Sequence, residues 1–171
     1  MDQRIAGLLA RREIEDCLFR YMRGQDRLDA ALQRSAFHND ATVDYGFFTG
    51  SGIDFVRFAQ DLLADRYNAT QHMLGQMHIA IDGEEGHGEI YFLAWHRRKA
   101  EHGGDDLLIA GRYLDRYSCR DGTWRIADRR EVVDWTRTDA ASDNWFERTP
   151  QALRGGRGDR DPGFGLPFAP A

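Results

Sequence analysis

The chain has 171 residues, a formal net charge of -5 and 42% hydrophobic residues, a length that suits one domain with a core that needs no metal or disulfide staples. Mild acidity and scattered positive residues exclude the basic footprint of a nucleic-acid-binding surface, and no apolar stretch approaches a membrane span. Cys17 and Cys119 stand far apart and read as free thiols, and the run from Met1 to Ala6 lacks the apolar core of a secretory signal, so a cytoplasmic protein is expected.

Ile14, Cys17, Leu18 and Tyr21 recur at helical spacing, with charged residues between them, and predict an amphipathic helix that Gly24 ends. Asp26 reads as the N-cap of a second short helix running to about Ser35. Residues 41–45 predict a short strand, and 46–52 a loop that carries Phe47 and Phe48. A third helix follows from about Ile53, its stripe made of Phe55, Phe58, Ala59, Leu62 and Leu63. Strand patterns then cover 70–81, 88–98, 106–119 and 123–135, joined by Asp-Gly and Gly-Gly connectors with the chemistry of hairpins. Helices ahead of a long meander make an α+β domain in which a strongly curved sheet folds around the helices and leaves a hollow. The domain is expected over 1–140. Beyond it, 141–171 form a tail whose glycine-rich, charged stretch 154–163 reads as mobile, while Phe164 to Phe168 can fold over a pocket mouth or a neighbouring subunit.

Four polar residues in this apolar setting, Tyr21, Asp26, His72 and Arg129, offer a base, its orienter and two groups for a developing negative charge. His72, in Thr70-Gln71-His72-Met73-Leu74, is either a strand histidine satisfied by a carbonyl or a general base, for which an imidazole pKa near ~6.5 is suited. A carboxylate such as Asp26 would hold its tautomer. Arg129 reads equally as a surface ion-pair partner and Tyr21 as a core residue with a tethered hydroxyl. His72 and His78 share a face by strict alternation and His96 lies on the next strand. No His-Glu-x-x-His, paired cysteines or carboxylate cluster accompanies them, so no metal is expected. No glycine motif fits a nucleotide, so no cofactor is expected either. Aromatic residues, Tyr45, Phe48 and Trp95 among them, exceed the needs of a small core and suit a pocket for a flat or cyclic apolar ligand, with His78 and His96 lining it or pairing across strands.

The order and spacing of these residues carry a resemblance. An N-terminal helix ends in Tyr21, Asp26 follows five positions later, His72 begins a strand 46 residues on, and Gly122-Thr123-Trp124-Arg125-Ile126-Ala127-Asp128-Arg129 comes late. The chain resembles the SnoaL-like branch of the NTF2-like (cystatin-like) superfamily over roughly residues 5–135, in the pattern of hexachlorocyclohexane dehydrochlorinase, bile-acid 7α-dehydratase and scytalone dehydratase. The first position is Lys in the dehydrochlorinase and Tyr in the bile-acid enzyme, and this chain follows the second. The resemblance implies a cone-shaped α+β fold and a homotrimer. It also implies an Asp26-His72 dyad, an inward Arg129 holding an oxyanion or leaving group, and a Tyr21 that protonates departing hydroxide or binds a phenol.

The expected function is therefore a cofactor-independent lyase of the dehydratase type acting on a hydrophobic cyclic or aromatic small molecule. A close variant releases formaldehyde from a lignin-derived aromatic diol by carbon-carbon cleavage. An isomerase or cyclase, and a small-molecule-binding module without catalysis, are the other readings, since a fold by itself does not imply a function.

Overall fold

The computed structural model describes residues 2–166. Helix α1 (Gln3–Arg27) starts where the Asp2 side chain accepts a hydrogen bond from the Arg4 backbone N–H, and its predicted stripe is fully buried. It runs through Gly24 and ends at Leu28, whose left-handed φ of 53° terminates it. Gly24 serves packing instead: a Cβ there would meet the Gln33 backbone at 2.5 Å, so glycine lets the short α2 (Ala30–Arg34) lie directly against α1. The cap of α2 is Asp29, which accepts from Leu32 N–H at 2.9 Å; Asp26 is not a cap and belongs to the last turn of α1. Helix α3 (Gly52–Arg66) is capped by Ser51.

Six strands form one sheet: β1 (Phe37–Asp44) and β2 (Thr49–Ser51) before α3, then β3 (Tyr67–Asp82), β4 (Glu85–Arg98), β5 (Asp106–Arg120) and β6 (Thr123–Asp139). Their spatial order is β2-β1-β6-β5-β4-β3. The β3 to β6 meander is antiparallel, and β1 joins β6 in parallel. The sheet wraps around α1 and α3, and the core between them is built from Ile14, Leu18, Tyr21, Phe37, Ile90, Tyr117 and Ile126 with their neighbours.

Two bulges decide what faces inward. Between the pairs Leu74↔Phe92 and Met77↔Ile90, Gly75 and Gln76 oppose Tyr91 alone, so the side-chain alternation of β3 reverses there. On β6, Ala127 is the extra residue between Arg116↔Asp128 and Tyr117↔Ile126. Trp124 and Ile126 point into the core before that bulge and Arg129 points into it afterwards, which strict alternation would forbid.

The described part of the C-terminal segment lies on the body of the protein. After the short α4 (Trp145–Arg148) it folds back across the ends of α1 and α3. Arg157 donates to the carbonyls of Leu63 at 3.0 Å and Tyr67 at 2.6 Å, Arg27 pairs with Asp161 at 3.1 Å, and Arg23 donates to Gly163 O. The glycine-rich stretch forms a tight loop: a Cβ on Gly156 would meet Arg160 O at 2.4 Å. Pro167 and Phe168 lie outside the described residues. Among the described residues, no helix is long and apolar enough to cross a membrane, and Cys17 and Cys119 are free.

Candidate active site

A cavity of about 280 Å³ opens between α3 and the concave face of the sheet. Phe55, Phe58, Leu62 and Leu63 of α3 form one wall, with Tyr45 and Phe47 beside them, and Phe92, Ala94, Ile109 and Tyr113 of β4 and β5 form the opposite one. Its polar lining comes from Gln25, Arg66, Tyr67, His72, His96 and Glu131. The volume suits a ligand of one or two rings.

His72 and Asp26 meet at the edge of this cavity. The last turn of α1 aims the Asp26 carboxylate at the start of β3, where it accepts three hydrogen bonds. These come from His72 Nδ1 at 2.7 Å, from the His72 backbone N–H at 2.9 Å and from Thr70 Oγ1 at 3.0 Å. A carboxylate only accepts, so the imidazole proton sits on Nδ1 and the lone pair sits on Nε2, the ring nitrogen away from Asp26. Asp26 itself is buried and does not line the cavity.

His96, on β4, packs its ring 5.1 Å from that of His72 at an angle of 84°. Burial first, and the neighbouring His72 second, push its pKa down to about 3. It is therefore neutral at physiological pH, and its buried Nδ1 has no partner among the described residues. Such a nitrogen can only be satisfied by a ligand or water.

Arg129 occupies a different layer. It is fully buried and held bidentately by Asp115, with Nε to Oδ1 at 2.8 Å and Nη2 to Oδ2 at 2.6 Å. Its guanidinium lies between the rings of Tyr113 at 3.9 Å and Tyr21 at 4.4 Å. Tyr21, equally buried, bonds Gln25 Oε1 at 2.9 Å and Tyr45 Oη at 2.7 Å. Burial raises the Tyr21 pKa to about 12, and raises those of Tyr45 and Tyr113 well above the usual phenol value. Neither Arg129 nor Tyr21 reaches the cavity wall; Tyr45, Tyr113 and Gln25 stand between them and the space.

Of the residues expected to line the pocket, Tyr45 and His96 do so. Phe48 stands behind the wall, its ring 5.4 Å from Phe55 and 5.2 Å from Phe58. Trp95 and His78 lie elsewhere. Trp95 alternates with the inward Ala94 and His96, so it faces outward, where Arg97 covers its ring. The bulge at Gly75 and Gln76 turns His78 to the outer surface beside Glu89. Three residues that sequence reasoning did not single out matter here: Thr70, Asp115 and Glu131. Glu131 follows Arg129 by two positions and so shares its inward face, a signal legible once Arg129 is taken to point inward. Among the described residues, no group of three or more His, Cys, Asp or Glu side chains is placed to hold a metal ion.

With this geometry in view, the comparisons define the class. The SnoaL-like domain family matches residues 6–130, and the chain belongs to that family. Its fold is the NTF2-like, cystatin-like cone. Among solved structures it is similar to a type 2 hexachlorocyclohexane dehydrochlorinase (LinA), at 21% identity with a TM-score of 0.73 over 80% of this chain and 93% of that one. It is also similar to a protein provisionally described as a scytalone dehydratase from Novosphingobium aromaticivorans DSM 12444, at 23% identity and a TM-score of 0.70, covering 79% of this chain and 91% of that one. A Nostoc punctiforme PCC 73102 protein of unknown function with a cystatin-like fold shares 18% identity at a TM-score of 0.60, covering 72% and 90%. No curated protein matches the chain in sequence.

Proposed function

We propose that the protein is a lyase that eliminates water from a hydrophobic cyclic or aromatic small molecule, with His72 as general base and Asp26 as its orienter. The observation that carries this reading is the double contact between Asp26 and His72 at the margin of an otherwise apolar cavity. Asp26 fixes the tautomer that leaves Nε2 basic, and it stabilises the imidazolium formed when a proton is taken from carbon. The rings of Phe47, Phe55, Phe58 and Phe92 support a flat or cyclic apolar substrate. A phenolic or hydroxyl group on such a substrate would meet Tyr45 and His96 on the wall. Tyr21 and Arg129 act at one remove in this reading, holding Tyr45 and Tyr113 in place rather than touching the leaving group. The chemistry asks for proton transfer alone, which the chain's own side chains supply.

The resemblance to structures described as a dehydrochlorinase and a scytalone dehydratase supports the choice of elimination. Hydroxylated one- and two-ring compounds incubated with the protein in deuterated water provide the test. A product lighter by water supports the dehydratase, and one lighter by formaldehyde indicates the carbon-carbon lyase. Conserved mass apart from exchanged deuterium indicates an isomerase, and saturable binding without turnover indicates a binding module.

A further inference from the structure

On the proposed lyase reading, one half of the reaction lacks a residue: the oxygen that leaves from carbon must receive a proton, and His72 works on the other side of the bond. Tyr21 is sealed behind Tyr45, and Arg129 is locked to Asp115. Glu131 stands on the cavity wall three strands away from His72, since β6, β5, β4 and β3 lie side by side in that order. Its pairing partner Tyr113 and the adjacent Phe92 and Ala94 floor the space between the two residues. Its carboxyl forms no hydrogen bond or ion pair with any described residue.

We propose that Glu131 is the general acid of this site, the group that protonates the leaving oxygen while His72 takes the proton from the neighbouring carbon. The C–H electron pair becomes the new C=C bond, the C–O bond breaks, and its pair goes to the oxygen. That oxygen takes the Glu131 proton and departs as water. His72 ends protonated and Glu131 ionised, and return of one proton through solvent resets both without any redox change.

The surroundings of Glu131 fit the role. Arg129 stands two residues away on the same strand, Tyr113 lies opposite on β5, Tyr21 approaches from α1, and Tyr45, Arg66, His72 and His96 complete the circle around the cavity. Burial raises the Glu131 pKa to about 7, against a smaller lowering by Arg129, so the carboxyl keeps a proton near neutrality and gives it up readily. Tyr45, Tyr113 and His96 on the same wall fail as acids. Tyr45 and Tyr113 hold their protons far too tightly, and His96 is already neutral.

Leaving-group chemistry provides the test. The probes are 4-hydroxy-4-phenylbutan-2-one and its 4-acetoxy counterpart, which eliminate to the same enone; hydroxide needs a proton to leave and acetate does not. In Glu131→Gln the ratio of hydroxyl to acetate elimination should fall by about 100-fold, within the usual range for general acid catalysis. An unchanged ratio overturns the assignment. Carbon-13 spectra of glutamate-labelled protein give a second readout that needs no turnover. The carboxyl resonance deleted by Glu131→Gln should titrate near neutrality, and one that titrates with the surface carboxylates overturns the proposal. The lyase reading fails separately, if His72→Ala still eliminates from both probes at wild-type rates.

Discussion

His72 and Asp26 are joined twice, through the imidazole Nδ1 at 2.7 Å and through the His72 main-chain N–H at 2.9 Å. The second bond holds the carboxylate against the backbone, so the aim of the ring does not depend on side-chain contacts alone. His72→Ala is expected to lower kcat/KM by at least about 100-fold, and Asp26→Asn by less, because the amide oxygen still accepts from one of the two His72 donors. Steady-state kinetics of both variants decide the matter; activity within tenfold of wild type in His72→Ala removes it as the base.

Arg129 and Asp115 form a fully buried ion pair. Arg129→Met leaves the Asp115 carboxylate uncompensated and should cost about 3–5 kcal/mol. The double variant Arg129→Met with Asp115→Asn should recover part of that loss. Urea unfolding of the two proteins is the measurement, and equal stabilities would contradict the pairing.

Stability should depend on pH through Glu131 and His96 in opposite directions. Glu131 has a folded pKa near 7, raised from 4.5. Its protonated form favours the fold below about pH 4.5, and that contribution is lost as pH rises through 7. Relative to wild type, Glu131→Gln should therefore gain stability between those values, by at most about 3 kcal/mol. His96 has a folded pKa near 3, lowered from 6.5. Its neutral form contributes fully above pH 6.5, and the contribution is lost as pH falls towards 3. His96→Gln should lessen acid destabilisation, and thermal melts from pH 3 to 8 test both slopes.

Arg157 ties the C-terminal segment to the end of α3 and approaches Thr70 Oγ1, itself a donor to Asp26, at 3.4 Å. Arg157→Ala should speed hydrogen exchange at the start of β3 and lower kcat more than it raises KM. Unaltered exchange at Thr70 and His72 would show that the segment lies over the site without bracing it.

Met73, Tyr91, Leu114, Val133 and Trp135 leave large apolar surfaces exposed on the sheet strands. Surfaces of this kind commonly mark association, and a homotrimer is expected in solution. Light scattering at micromolar concentration reads this directly, and a monomer would count against it.

Apolar periodicity made most of the fold legible: the stripe of α1, that of α3 and the four long strands stand out in the sequence, because burial imposes a period there. The spacing of Tyr21, Asp26 and His72 likewise brought forward two residues that meet in the fold. Legibility stopped at the bulges. A bulge exists only relative to a partner strand, so counting from His72 to His78 keeps them on one face, whereas Gly75 and Gln76 separate them. Trp95 was a different matter, since alternation with His96 already argued that both cannot face the same way. The anchoring of Arg157 leaves no local mark either, because its acceptors are carbonyls near the end of a helix roughly 90 residues earlier.

The bulge at Ala127 has a consequence for how such cavities change over time. If Ala127 took a regular ladder position in place of the bulge, alternation counted from Trp124 and Ile126 would bring Asp128 and Arg130 to the positions now held by Arg129 and Glu131. The buried cation would become an anion and the cavity's acid a fixed positive charge, with no substitution anywhere in the chain. The presence of a bulge at a single point on one strand is thus a heritable setting of cavity polarity. Relatives that retain all of these residues but run the strand without the bulge should differ in the charge of the molecules they accept.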